Sequence, residues 1–228
     1  MIIGIIGAIK DEIVLLCQQL TNIKKKILGR CIIYCGNIGT IKVVIIKTGV
    51  GKVSASLGTT ILINYFSPNL VINIGLAGSL VPYIKKYNLV ISQSTCYYDV
   101  NVTAFGYKIG QIPKHPLMFN SPKNILSIAK LSSKKEKNIF FGLIVSGDSF
   151  INDINILNNI RSKFPKALVV DMESTAIAQV CYRFSIPCIS IKQVSDYANN
   201  KANIEFKCTI KNMNNLFILT KNILLNIK

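Results

Sequence analysis

The chain has 228 residues, half of them hydrophobic, with 27 Lys and Arg against 10 Asp and Glu and a formal charge of +17 at pH 7. This is the length of an ordinary α/β domain with ample core material, and no run of 18 apolar residues marks a membrane span. The charge raises nucleic acid as a partner, but the cations are dispersed in short groups such as Lys24-Lys25-Lys26, Lys85-Lys86 and Lys134-Lys135 with Lys137, and only Arg30, Arg161 and Arg183 are Arg, so neither nucleic acid nor membrane is expected.

Met1 to Ala8 is an Ile-rich run and reads as a buried strand. Residues 10–20 place Ile13, Leu16, Cys17 and Leu20 at helical spacing. Strands are predicted at 31–36 and 41–48, joined by a turn at Gly36-Asn37-Ile38-Gly39, and after Gly49-Val50-Gly51-Lys52 comes a helix to about Phe66. Asn69 to Ile74 is an apolar strand ending in a Gly75-Leu76-Ala77-Gly78 loop. A strand at 88–97 precedes a long loop with Gly and Pro at 99–120. Then come a helix at 121–131, a strand at 139–145, a helix at 153–162, a strand at 167–171 and a helix at 173–184. A strand at 187–193 ends at Ser195-Asp196, and a terminal helix covers 205–226. Strands alternating with helices predict an α/β fold: one domain over 1–228 with a mixed, mostly parallel central sheet flanked by helices.

The seven cysteines, Cys17, Cys31, Cys35, Cys96, Cys181, Cys188 and Cys208, contain no C-x-x-C pair and several lie in apolar runs. They read as reduced thiols of a cytoplasmic protein. His115 is the single histidine, which excludes a multi-histidine metal site, and the N-terminus lacks the basic segment of a signal peptide.

In such sheets ligands bind beyond the carboxyl ends of strands. Glu12, Glu173 and Asp196 all follow predicted strands, together with Phe150 and Met172. Each has a plainer reading. Glu12 and Glu173 also suit a helix start, Asp196 suits a loop cap, and Met172, Phe150 and Phe206 suit a core. Asp148 reads as a turn carboxylate and Asp171 as structural.

The segments gain meaning together. Ile5-Ile6-Gly7-Ala8-Ile9 with Glu12, Gly49-Val50-Gly51-Lys52-Val53, Asn73-Ile74-Gly75-Leu76-Ala77-Gly78 and Asp99 to Tyr107 come in that order. Gly142 to Asp148, Met172-Glu173-Ser174-Thr175-Ala176-Ile177-Ala178 and Val194-Ser195-Asp196 follow. Over nearly the whole chain this ordered set resembles the 5′-methylthioadenosine/S-adenosylhomocysteine nucleosidases of the nucleoside phosphorylase superfamily. The resemblance implies a nucleoside phosphorylase-like fold and hydrolysis of the N-glycosidic bond of 5′-thioadenosines. No metal or organic cofactor is implied.

By that resemblance, Asp196 protonates adenine N7, oriented by Ser195, and Glu12 activates the attacking water. Glu173 holds the ribose hydroxyls with Met172 packed on the sugar. Phe150 stacks on the purine, the backbone at Ile151 reads its edge, and Ile9, Val50 and Phe206 line the pocket. Phe105 and Pro113 match a loop that covers the 5′-thio group of a homodimeric partner.

Two residues depart from the family pattern beside the water site. Leu76 stands where a Ser or Thr is usual, and Lys192 stands where Arg is usual. Leucine offers no side-chain hydrogen bond, and lysine keeps the charge without the planar fork. A phosphate-dependent purine nucleoside phosphorylase is the alternative enzyme, and an adenosine-binding relative without turnover is the second.

Overall fold

The computed structural model describes residues 1–134, 138–209 and 212–227, without the Cys208 side chain. Lys135 and Lys137 lie outside the described residues.

The Ile-rich N-terminus forms β1 (Ile2–Gly7), with all but its first residue buried. It lies in parallel between β4 (Ile41–Lys47) and β5 (Leu70–Ser79). The remaining strands are β2 (Thr21–Leu28), β3 (Cys31–Ile38), β6 (Leu89–Tyr97), β7 (Phe119–Asn120), β8 (Ile139–Ser146), β9 (Ala167–Asp171) and β10 (Cys188–Asp196). All ten join one sheet in the order β10-β6-β8-β9-β5-β1-β4-β3-β2, with β7 on β6. A further pairing of β10 with β5 closes β5, β10, β6, β8 and β9 into a ring. The ladders that carry the site, β1–β5, β5–β10 and β8–β9, are parallel, while β5–β9 and β6–β10 are antiparallel.

The helices are α1 (Lys10–Cys17), α2 (Lys52–Phe66), α3 (Lys123–Ser132), α4 (Ile154–Lys163), α5 (Ser174–Arg183), α6 (Ala202–Thr209) and α7 (Asn214–Asn226). Ile3, Ile5, Ile72, Ile74 and Ile191 pack with Ile13 of α1 and Leu216, Leu219 and Ile223 of α7 on one side of the sheet. Ile6, Val44, Ile46 and Val71 meet Ala55 and Leu62 of α2 and Ile177 of α5 on the other. Fully burying each such side chain contributes about 1.5–3 kcal/mol. Among the described residues, no helix is long and apolar enough to cross a membrane.

Five expectations change, the first being that the 99–120 loop ends in the short strand β7, paired with β6. The turn at 36–39 is tighter: β3 continues to Ile38, and Gly39, at φ 59, makes the corner. The Gly75–Gly78 loop is strand, because β10 and β9 pair with it, Val194 opposite Ala77 and Val170 opposite Gly78. Residues 21–28 form β2, which sequence periodicity missed because seven of its eight side chains are exposed; pairing with β3 holds it, helped by Leu28 against the core and Lys26 over the Phe66 ring. The terminal helix at 205–226 is two helices, α6 and α7, with residues 210 and 211 outside the described set.

Candidate active site

Beyond the carboxyl ends of β1, β5, β9 and β10 opens a cavity of about 380 Å³. Its wall includes Ile9, Glu12, Val50, Leu76, Met172 and Glu173, and also Phe150, Ile151, Ser195, Asp196 and Phe206. Twelve residues expected at the site therefore meet here, if Lys192 beneath the floor is counted with them. Phe105 and Pro113 do not. Both are exposed, on the segment after β6.

Glu12 sits at the third position of α1, and Ile9 is the cap. Its Oε2 accepts from the N–H groups of Ala8 at 2.7 Å and Ile9 at 3.0 Å. Its Oε1 accepts from the Leu76 N–H at 3.0 Å. The helix-start reading therefore holds, and the same side chain lines the cavity. Burial raises the Glu12 carboxyl above its ordinary value, against the opposing pull of Lys192 and these three N–H groups. A carboxylate fixed in direction yet made more basic suits proton abstraction from water.

Lys192, on β10, is almost wholly buried, and its ammonium meets Asp171 Oδ2 at 2.9 Å. Burial pulls its pKa down, but Asp171, Glu173 and Glu12 more than offset that and raise it. A Cβ on Gly75 would fall 2.5 Å from Glu12 Oε1 and 3.0 Å from Lys192 Nζ, so the absence of a side chain there lets the acid and the ammonium converge. Asp171 is a hub rather than a spare acid: Ser146 Oγ donates to Oδ1 at 2.6 Å, and Ser174 donates to it through both N–H and hydroxyl. Asn73 and Thr175 extend this network through Ser174 and Ser146.

Glu173 lies between β9 and α5, nearly buried, and accepts from the Gly51 N–H at 2.9 Å. Gly51 has φ +92, a conformation that disfavours any side chain. Burial pushes the Glu173 carboxyl up to about 7; Lys192 opposes this and Asp171 and Glu12 reinforce it. Sequence reasoning missed Gly51 as this partner, although the glycine pair flanking Val50 marked an unusual backbone.

Asp196 ends β10 at an irregularity in its register with β5. Oδ2 accepts from the Ser195 hydroxyl at 2.5 Å and Oδ1 from the Ala198 N–H at 2.9 Å. Burial raises its pKa despite both bonds. Phe150 is 43% exposed and meets Phe206 edge to face, 5.8 Å between centroids, leaving an aromatic surface at the mouth.

Three carboxyls, Glu12, Glu173 and Asp196, thus line one cavity, each raised by burial above its ordinary value, and the Lys192 ammonium faces two of them. That is the arrangement of a glycosidic-bond enzyme with a cationic transition state. The chain matches the family model described as Phosphorylase superfamily over residues 2–224. It is 47% identical to the 5′-methylthioadenosine/S-adenosylhomocysteine nucleosidase of Buchnera aphidicola subsp. Schizaphis graminum, over 91% of this chain and 89% of that one. The solved Neisseria meningitidis nucleosidase, in complex with methylthio-immucillin-A, superposes with TM-score 0.97 at 36% identity over 99% of each chain. The Streptococcus pneumoniae enzyme with a transition-state inhibitor gives 0.96 at 35% over 100% of each. The chain belongs to the 5′-methylthioadenosine/S-adenosylhomocysteine nucleosidase family.

Proposed function

We infer that the chain hydrolyses the N-glycosidic bond of 5′-methylthioadenosine and S-adenosylhomocysteine, releasing adenine and the corresponding thioribose. One observation carries the choice of hydrolysis over phosphorolysis: the Glu12 carboxyl lines the cavity, gripped by the Ala8, Ile9 and Leu76 N–H groups, and this reading puts the sugar beside it. An anion there repels phosphate, whereas it accepts a proton from water.

In this reading Asp196 delivers a proton to adenine N7 as the C1′–N9 bond breaks. The electron pair of that bond stays with the base, and positive charge builds on the ribose. Glu173 binds the ribose hydroxyls. Glu12, Asp171 and Glu173 surround the single Lys192 ammonium, so this end of the site favours the developing cation. Glu12 takes the proton of the water that attacks C1′. Phe150 stacks on the purine, the backbone at Ile151 reads its edge, Ser195 orients Asp196, and Met172 packs on the sugar, while Ile9, Val50 and Phe206 enclose the rest.

The same reading includes 5′-deoxyadenosine as a substrate, a place in methionine salvage, one domain over 1–228, and a cytoplasmic homodimer. Exposure of Phe105 and Pro113 outside their own chain's cavity supports their covering a partner's 5′-thio group. The test is adenine release from each of the three nucleosides in phosphate-free buffer. Release from the two thio-nucleosides is expected, and none from either would overturn the reading.

A further inference from the structure

Three sequence segments that the chemistry above leaves unused meet at the cavity mouth. They are Gly51-Lys52 at the start of α2, Tyr98-Asp99 after β6, and Gly147-Asp148 after β8. Lys52 Nζ donates to Asp99 Oδ2 at 2.7 Å and stands 3.9 Å from Asp148 Oδ2. Asp99 Oδ2 also accepts from the Asp148 N–H at 3.0 Å. Asp148 Oδ1 in turn accepts from the Lys52 N–H at 2.7 Å. The contacts thus form a closed loop through three segments far apart in sequence.

Two consequences reach the cavity. The Gly51 and Lys52 amides are consecutive, and they go to Glu173 and Asp148 respectively. Only the φ and ψ of Gly51 separate them, so anchoring one restricts the direction of the other. Asp148 is followed by Ser149, Phe150 and Ile151, all in the cavity wall, and Tyr98 Oη holds the Ser149 carbonyl at 3.3 Å. The ribose acid and the purine platform are therefore fastened to one point. The approach is close: a Cβ on Gly147 would fall 2.6 Å from the Tyr98 ring and 2.7 Å from Asp99 Cγ. Lys52 is further seated 5.3 Å over the Tyr97 ring, and Tyr97 Oη donates to Gln179 of α5. None of Lys52, Asp99 and Asp148 lines the cavity.

We propose that Lys52, Asp99 and Asp148 form a clasp of positioning residues that holds the Gly51 amide on Glu173 and the Ser149–Ile151 segment over the purine. The proposal rests on the nucleosidase reading. Lys52 and Asp99 side chains are each 27% exposed, and ion pairs so exposed contribute little stability. The clasp acts on substrate binding instead. Loss of the Gly51 donor also shifts the protonation of Glu173, which faces Lys192 of β10, Asp171 of β9 and Glu12 of α1.

The experiment compares wild type with Lys52→Met, Asp99→Ala, the double variant and Lys52→Arg. Each is measured for KM, kcat, the pH profile of kcat/KM with 5′-methylthioadenosine, and Tm. Lys52→Met and Asp99→Ala are expected to raise KM about tenfold with a smaller change in kcat, and to move the Glu173-dependent limb to higher pH. The double variant is expected to match the singles, and Lys52→Arg to recover most of the loss. A fall in Tm with KM and the pH limb unchanged would overturn the proposal. Wild-type turnover reports separately on the nucleosidase reading. If wild type released no adenine, calorimetric adenine binding would decide the clasp alone: weaker in Lys52→Met as expected, equal in contradiction.

Discussion

The backbone N–H of Leu76 donates to Glu12 Oε1 at 3.0 Å. The leucine side chain is 7% exposed, packed with the sheet core while bordering the cavity. What Leu76 gives the proposed base is its amide, which any residue but proline at this position in β5 supplies. The missing hydroxyl therefore leaves the grip on Glu12 intact.

Leu76→Ser keeps that amide and removes buried apolar volume. Turnover is expected to stay within about fivefold of wild type, while stability falls by about 2–4 kcal/mol, in the range of large-to-small core changes. Steady-state kinetics and denaturant unfolding measure the two. A rate change above tenfold in either direction would assign the side chain a part in the chemistry.

Glu12→Gln and Asp196→Asn separate the two proton transfers. Removing either acid is expected to cost about 10²–10⁴ in kcat, the usual worth of general acid–base catalysis. Nucleoside binding should survive in Glu12→Gln, because Gln Oε1 in the place of Oε2 can still accept from the Ala8 and Ile9 N–H groups. Near-native turnover in either variant would remove that residue from its role.

Glu173 should set a pH dependence of stability. Burial raises its folded pKa to about 7. The folded state then holds a proton that the unfolded chain releases at the ordinary carboxylate value. Its stabilising contribution is full below that value and is lost as pH rises toward 7, on the order of 3 kcal/mol in all. Glu173→Gln removes the titration, so its Tm should exceed that of wild type at pH 8 and match it near pH 4.5. Equal Tm differences at both pH values would contradict this.

Phe150→Ala tests the purine platform. Stacking of an aromatic on a base is worth about 1–3 kcal/mol, so affinity for adenine should fall between about fivefold and a hundredfold. Titration calorimetry reads this directly, and unchanged affinity would place the base elsewhere.

Much of this was legible in the sequence because buried strands announce themselves. Ile2–Gly7 and Ala167–Asp171 are apolar on both faces, and the strands found match the runs closely. What escaped was held by backbone or by distant contacts. β2 buries almost no side chain, so no pattern marks it. The Gly75–Gly78 stretch looks like a loop until β10 and β9 pair with it. At the site, the carboxyls could be picked out by type and position, but not their donors. The Gly51 amide reaches Glu173 across 122 residues, and Lys192 pairs with Asp171 rather than standing free. Asp171, read as structural, accepts from Ser146 and Ser174 and pairs with the Lys192 ammonium that Glu12 and Glu173 also face.

The most direct measurement is mass spectrometry of the products of 5′-methylthioadenosine cleaved in H₂¹⁸O, with and without phosphate. Hydrolysis assisted by Glu12 should give unlabelled adenine and methylthioribose carrying one ¹⁸O, at the same rate in both buffers. A sugar phosphate formed only when phosphate is present would contradict it.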